Sequence, residues 1–267
     1  MRVYVDGIGI LGPGLVGWEP SRVILAGDVG YHETPSPDPP ASILPPNERR
    51  RSSACVRWAV HVAQEAIEQA ETDPKTLATV FACSDGEMDI LNQLCTTLAM
   101  SERVVSPTLF HQSVHNAAAG YWSIATRCQQ SSTALSCYDW SFGSGLLEAA
   151  AYVCTEEKTV LLVVYDLPPP IPLYAARPLH GGFAAALVLA RTAAPCSLAQ
   201  LDLTLSNDRS GEATGMADPR LEALRSGNPA ARSLPLLAAI ARRRAAGVRL
   251  EYLEDQHLLV QVMPCRS

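Results

Sequence analysis

The spacing of apolar positions along this chain alternates between the periods of strands and of helices. Short apolar runs that predict buried strands cover 3–11, 77–83, 133–138, 159–165, 183–190 and 198–206. Apolar residues at helical spacing predict helices over 52–70, 87–100, 113–127, 143–155 and 234–246. This alternation of strands and helices predicts a layered α/β fold built on a sheet.

The connecting segments have their own signatures. Six prolines lie within residues 34–46, which predicts an extended surface loop because proline disrupts helices and central strands. Residues 208–229 are polar and contain glycine, so a loop with a short helix is expected there. The last apolar runs, 248–253 and 257–263, flank Glu254-Asp255-Gln256 and are typical of a β-hairpin.

Composition narrows the class of protein. With 267 residues, 48% hydrophobic and 18% charged, the chain can bury one sizeable core, so we expect a single domain over 1–267. A net charge of -6 argues against a nucleic-acid partner. The arginine triplets Arg49–Arg51 and Arg242–Arg244 lie at predicted helices. They are interpreted as solvated faces, with docking of an acidic partner as the alternative.

The cysteines and the N-terminus bear on location and cofactors. The eight cysteines form no C-x-x-C pair, which favours buried free thiols in a reducing cytoplasm over zinc binding or disulfides. No signal peptide and no apolar run long enough to span a bilayer is evident, so membrane insertion is not expected. No phosphate loop or dinucleotide motif is present either, and no metal or other cofactor is expected.

The candidate chemistry lies between His115 and Ala150. A helix with the small residues Ala117–Gly120 is followed by the strand at 133–138, a sharp turn and a second helix. This layout can hold a nucleophile at the start of a helix, where the dipole and free N–H groups favour negative charge.

These residues resemble the N-terminal half of the β-ketoacyl synthases, in the thiolase-like superfamily, over roughly Val3 to Ala190. The motifs that carry the likeness are Val80–Gly86, Ser113–Gly120, Ser136–Asp139 with Gly145–Ala150, and Phe183–Ala190. Ser113–Thr126 is most similar to the short ketosynthase-like subunits of aryl polyene pigment clusters, which act as chain length factors. The resemblance implies a helix/sheet/helix fold in which 1–190 is the N-terminal half and 191–267 an abridged second half.

Two departures from the family pattern bear on activity. Counting back ten residues from Ala149 places Asp139 where an active ketosynthase has its nucleophilic cysteine, and Cys137 lies two residues earlier, within the predicted strand. A carboxylate is a poor substitute for a thiolate in thioester exchange. The family's two catalytic histidines come from the second half, but only His257 follows Ala190.

The individual residues leave alternatives open. Asp139 is expected to cap the following helix, at the place of the absent thiolate. Cys137 is either a small buried side chain or, if displaced into the turn, a nucleophile. His115 with Asn116 is either structural or the base that Cys137 would need.

The resemblance implies a catalytically silent subunit that is not an enzyme by itself. It would form a heterodimer with a full-length ketosynthase and meet acyl carrier protein through that complex. Residues expected at the interface or along the partner's acyl tunnel are His115, Asn116, Ala118, Gly120, Tyr121, Trp122, Tyr138, Trp140 and Phe142. The alternatives are a stand-alone acyl transferase or thioesterase that uses Cys137, and a homodimeric acyl-binding protein.

Overall fold

One mixed sheet forms the centre of the molecule. The computed structural model describes residues 1–208, 211–254 and 256–265. The strands are β1 Arg2–Gly12, β2 Leu15–Val16, β3 Ala78–Ala82, β4 Ser132–Leu135, β5 Val160–Asp166, β6 Phe183–Ala190, β7 Ala199–Ser206, β8 Ala246–Tyr252 and β9 Gln256–Pro264. Their order is β4-β3-β5-β6-β1-β7-β9-β8, and β2 pairs with β1. β4 therefore occupies one edge of the sheet, and β8 occupies the other.

The directions of the strands place the loops after β3, β4 and β5 at one end of the sheet. β3 pairs in parallel with both β4 and β5, so their C-terminal ends meet at the same edge. β6 runs antiparallel to β5 and continues the sheet towards β1. Loops that follow β3, β4 and β5 consequently converge, a common place for ligands in open α/β sheets.

Helices cover both faces of the sheet. They are α1 Trp18–Ala26, α2 Pro46–Arg51, α3 Ala54–Gln69, α4 Met88–Ala99, α5 Pro107–Gln112, α6 Ala117–Thr126, α7 Ser141–Glu156, α8 Pro219–Gly227 and α9 Leu234–Ala241. α3 and α6 pack on one face of the sheet, whereas α7 and α9 pack on the other. The predicted helix/sheet/helix arrangement is confirmed.

The pleat of β5 divides the core into two clusters. Val160, Leu162 and Val164 belong to the cluster beneath α7, and Leu161, Val163 and Tyr165 belong to the cluster beneath α3. Alternate side chains of a strand point to opposite faces, so a strand covered on both sides is apolar at every position. This explains the continuous apolar run at 159–165.

Most predicted elements are present, with shifted ends. The helix predicted over 52–70 begins at Ala54, because the Ser53 side chain accepts a hydrogen bond from the Val56 N–H and caps it. The helix predicted over 113–127 begins only at Ala117, which leaves His115 and Asn116 in the preceding turn. The helix predicted to reach residue 246 ends at Ala241, and β8 starts at Ala246.

The remaining segments agree with or extend the sequence-based picture. The loop over 34–46 lies outside regular structure until α2 begins at Pro46, and α8 is the short helix expected within 208–229. The C-terminal hairpin pairs β8 with β9, although Asp255 of its predicted turn lies outside the described residues. α1, α2 and α5 were not predicted. Among the described residues, no helix is long and apolar enough to cross a membrane.

Candidate functional site

The turn between β4 and α7 is where a nucleophile was expected. β4 ends at Leu135, and the chain passes through Cys137 and a 3-10 turn at Tyr138–Trp140 before α7 begins at Ser141. The Ser141 hydroxyl closes the turn: it accepts from the Cys137 N–H at 3.0 Å and donates to the Tyr138 carbonyl at 2.7 Å. The prediction of a strand up to Tyr138 is therefore wrong, and Cys137 lies in the turn.

The Asp139 carboxylate lies between two arginines. Arg177 Nη2 donates to Asp139 Oδ1 at 2.7 Å, and Arg232 Nη2 lies 3.3 Å from Oδ2. Neither the 3-10 turn nor α7 has a side-chain cap, so the expectation that Asp139 caps a helix is wrong. Two guanidinium partners satisfy the carboxylate in place of backbone amides, through bonds in which both groups are charged.

These contacts belong to a longer series of ion pairs. It runs through Asp85, Arg177, Asp139, Arg232, Glu251, Arg225 and Glu222 in that order. Burial alone would lower the pKa of Arg177, but its bond to Asp139 and the charges of Asp85 and Asp139 raise it above the usual value. The series joins the turns after β3 and β4 to β8 and α8.

Tyr138 has an unusual backbone in this turn. Its φ is 52°, a left-handed conformation that costs a non-glycine residue about 1 kcal/mol or more. The side chain is 53% exposed, and the Arg177 guanidinium carbon lies 3.8 Å from the centroid of its ring. The turn therefore directs an aromatic ring to the surface, and a cation–π contact holds it there.

Little space remains beside Asp139. The cavity between Asp139, Phe142 and Gly143 on one side and Arg232 and Glu251 on the other has a volume of about 10 Å³. That is about the room a single water molecule needs. This cavity, bounded by described residues, is too small to hold an acyl thioester.

A buried layer beneath the turn was not predicted. The Asp166 Oδ1 atom accepts hydrogen bonds from the Ser84 N–H and hydroxyl, both at 2.7 Å, and from the Cys83 thiol at 3.3 Å. Burial raises the pKa of Asp166 to about 7, although the bonds from Ser84 and Cys83 oppose this shift. The Ser136 hydroxyl donates to the Ser84 carbonyl at 2.7 Å, so this layer supports the turn after β4.

Glu87 is a second carboxyl group of this layer. It precedes α4 and accepts a hydrogen bond from the Ser53 hydroxyl at 2.6 Å. Burial raises its pKa to about 7. Ser53 thus contacts both the start of α3 and Glu87, which fixes the turn after β3 against that helix. Periodicity could not reveal these groups, because Asp166 follows the predicted strand as a loop residue and Glu87 is the first residue of the predicted helix over 87–100.

The thiol of Cys137 and the ring of His115 form no hydrogen bond with each other in the described part of the chain. Cys137 is half-buried, and no described histidine makes a hydrogen bond with its thiol. The ring Nε2 of His115 lies 3.0 Å from the Cys83 carbonyl. The Cys83 thiol is buried, and burial together with the charge of Asp166 raises its pKa well above the usual value. The described residues therefore show no activated thiol–imidazole pair.

A shallow groove separates α6 from the edge strand β4. Its lining consists of Asn116, Ala119, Gly120, Ser123, Ser132 and Ala134, and its volume is about 400 Å³. Ala118 is buried beneath it, whereas Asn116 and Gly120 are exposed. A Cβ atom added to Gly120 would meet nothing within 4 Å. The small side chains leave room for another backbone to approach closely.

The five aromatic residues expected near an interface divide into two groups. Trp122, Tyr121 and Phe142 are buried in this chain's own core, and the Tyr121 hydroxyl bonds to Gln112 at 3.0 Å. Tyr138 is exposed and Trp140 is half-buried. Of the five, Tyr138 is the most accessible to a partner.

The sequence matches a known family over most of its length. A sequence model described as β-ketoacyl synthase, N-terminal domain, matches residues 27–225. The chain belongs to the β-ketoacyl synthase family. No curated protein matches the chain.

Several solved structures of ketosynthases and their complexes share this fold. A ketosynthase (ApeO) in complex with its chain length factor (ApeC) from Xenorhabdus doucetiae aligns with a TM-score of 0.73 at 21% identity, over 98% of this chain and 99% of that chain. The ishigamide ketosynthase/chain length factor aligns with a TM-score of 0.75 at 12% identity, over all of both chains. A β-ketoacyl synthase from Burkholderia phymatum STM815 aligns with a TM-score of 0.70 at 12% identity, over 99% of this chain and 100% of that chain. These likenesses confirm the thiolase-like fold.

The family model covers only some of the residues that form the ion pairs around Asp139. Asp85, Asp139 and Arg177 lie within residues 27–225, whereas Arg232 and Glu251 lie beyond them. The side chains that close the cavity beside Asp139 therefore come partly from the C-terminal segment.

Proposed function

We propose that this chain is a ketosynthase-like subunit without condensing activity of its own, which pairs with a full-length ketosynthase and shapes its acyl tunnel. Residues 1–267 act as one domain, in which 191–267 replace a full second half. The observation that carries the proposal is Asp139 at the expected nucleophile position, held by Arg177 and Arg232 beside a cavity of about 10 Å³. Condensation would take place on the partner's cysteine and histidines.

Two neighbouring features support pairing through the α6–β4 side. β4 is an edge strand, so its free backbone groups can extend the sheet into a second subunit. The groove beside it is lined by small residues. Large apolar side chains are also exposed along the segment from α4 to the turn after α5. They are Leu91, Leu98, Met100, Val104, Phe110 and Val114. Exposed apolar side chains of this kind can contribute to protein interfaces.

The arginine triplet of α2 suggests where acyl carrier protein meets the complex. Arg49, Arg50 and Arg51 are exposed on α2, and the Arg51 carbonyl accepts a hydrogen bond from Gln112 at the end of α5. Their positive charge would complement an acidic carrier protein. A carrier protein is bound to a ketosynthase in the complex of AntDE with AntF, which shares this fold at a TM-score of 0.74 and 12% identity, over 99% of each chain.

The sequence likeness to aryl polyene subunits and the fold shared with the ApeO–ApeC complex suggest a role in building a polyene chain. The eight free thiols suit a reducing cytoplasm.

Co-expression with a full-length ketosynthase tests the proposal. We expect the two chains to co-elute in size exclusion and to extend acyl groups from malonyl-loaded carrier protein. This chain alone should give no product. Cys137→Ser should leave product formation by the complex unchanged, as should the control Cys95→Ser at an exposed cysteine.

Other outcomes would favour the alternatives. Condensation or acyl transfer by the isolated chain, lost with Cys137→Ser, would indicate an enzyme that uses Cys137. A stable homodimer that ignores the ketosynthase would indicate an acyl-binding protein. Either result contradicts the proposal.

A further inference from the structure

The second arginine triplet lies in the turn between α9 and β8. Arg242, Arg243 and Arg244 are exposed, and within the described part of the chain none of their side chains makes a hydrogen bond or ion pair. By contrast, Arg177, Arg225 and Arg232 each pair with an acid. The partial negative charge at the C-terminal end of α9 offsets only part of the repulsion among three adjacent cations, and a bound anion would relieve the rest.

The triplet lines a recess in the surface. With Arg22, Ala26 and Asp28, it bounds a cleft of about 360 Å³ between the C-terminal ends of α1 and α9. A smaller cavity of about 170 Å³ adjoins it, and Arg22 and Arg243 line both. The smaller cavity is largely apolar. Its other lining residues are Trp18, Pro195, Cys196, Ser197, Leu198, Ile240 and Cys265.

This recess is separate from the candidate site. Arg232 precedes α9 and Glu251 lies near the end of β8, and both belong to the ion pairs around Asp139. The triplet joins the opposite ends of α9 and β8. The eight residues of α9 span about 12 Å, so the two sites lie at different ends of the sheet.

We propose that the recess binds a small organic phosphate. Its phosphate group would lie between Arg22 and the triplet, where guanidinium groups can bind phosphate oxygens in pairs. Its apolar body would enter the adjoining cavity, which exceeds the volume of about 150 Å³ that holds one benzene ring. Glu19 pairs with Arg22 at 3.2 Å and Asp28 lines the cleft, so four arginines face two carboxylates. A recess of this size suits a compact ligand better than a flat membrane surface.

Calorimetric titration of the full chain with phenyl phosphate and with inorganic phosphate, at constant ionic strength, tests the proposal. We expect phenyl phosphate to bind about tenfold or more tightly, because its ring becomes buried. Arg243→Gln should weaken phenyl phosphate binding about tenfold, since this residue lines both cavities. Arg50→Gln, in the other triplet, is the matched control and should leave the affinity for phenyl phosphate unchanged.

Three results would overturn the proposal. One is equal affinity for the two phosphates, which would indicate general attraction of anions. Another is an equal loss in Arg243→Gln and Arg50→Gln. The third is binding to phosphatidylglycerol vesicles that depends on Arg243, without binding of phenyl phosphate, which would indicate a membrane-facing surface. Circular dichroism of both variants checks that each remains folded.

Discussion

Asp139 Oδ1 and Arg177 Nη2 are 2.7 Å apart, and this contact ties the turn before α7 to the loop after β5. Arg177 also pairs with Asp85 at 3.1 Å, and its guanidinium covers the ring of Tyr138. One arginine therefore organises the turns that follow β3 and β4. In this arrangement each carboxylate oxygen of Asp139 is paired with a guanidinium group, one from Arg177 and one from Arg232.

Asp139→Ala should destabilise the chain, because Arg177 and Arg232 would then face each other without the carboxylate between them. The side chain of Asp139 is 31% exposed, so water screens part of the effect. We expect a loss of about 1–2 kcal/mol in the free energy of unfolding, measured with urea. Asp202→Ala, which breaks the exposed pair with Arg2, is the control and should cost much less. Equal losses in the two variants would show that the ion pairs of Asp139 contribute no more to stability than an exposed pair does.

Stability should also depend on pH through the buried layer beneath the site. Folding raises the pKa of Asp166 from 3.8 to about 7 and that of Glu87 from 4.5 to about 7, mainly through burial. Between about pH 4 and pH 7 the folded state holds these protons more tightly than the unfolded chain does. Stability should therefore be fully present below this window and fall as the pH rises through it.

Asp166→Asn separates this titration from other effects of pH. The amide can keep the bonds from Ser84 but cannot ionise, so the loss of stability between about pH 4 and pH 7 should shrink. The absolute stability should be lower in this variant, since its buried side-chain NH2 group would replace Asp166 Oδ2, which has no hydrogen-bond partner in the described residues. Urea unfolding across this pH range measures how the free energy of unfolding changes with pH. An unchanged slope in Asp166→Asn would contradict the assignment.

The fold was predictable because its strands and helices have distinct apolar periods. The run at 159–165 identified β5, and the stripe within 52–70 identified α3. The predicted ends of helices and strands were wrong where side-chain bonds or backbone conformation determine where an element begins or ends. The Ser53 cap delays the start of α3, and the φ of Tyr138 together with the Ser141 hydroxyl ends β4 early. Such bonds depend on local geometry, which periodicity does not record.

The candidate site was only partly predictable for a different reason. Motif spacing identified the turn at Asp139, since it reflects contiguous sequence. The partners of Asp139 are 38 and 93 positions away along the chain, at Arg177 and Arg232, and both lie in segments without a motif. Asp166 gave no signal either, because an acid after a buried strand reads as a loop residue. Only tertiary structure brings these groups together.

The groove between α6 and β4 offers a test of pairing in which stability and assembly change differently. Gly120→Leu should not destabilise the chain, because an added Cβ meets nothing within 4 Å and leucine favours helix by about 1 kcal/mol over glycine. The same side chain would fill the groove and should abolish co-elution with the ketosynthase. Gly30→Leu, at an equally open position outside the groove, is the control and should leave co-elution intact. Normal pairing by Gly120→Leu would place the interface elsewhere.

Under the proposed function, Tyr138 is the aromatic residue best placed to limit the length of the partner's product. Its exposed ring follows the edge strand β4, and the contact with Arg177 fixes its position. In the complex, Tyr138→Ala should open space and shift the product towards longer chains, as mass spectrometry of released chains would show. Tyr138→Phe keeps the ring and should keep the length. Trp122→Phe changes a fully buried side chain of the core and should affect thermal stability before product length. If Trp122→Phe lengthens the product while Tyr138→Ala does not, the tunnel ends in the core and not at the turn.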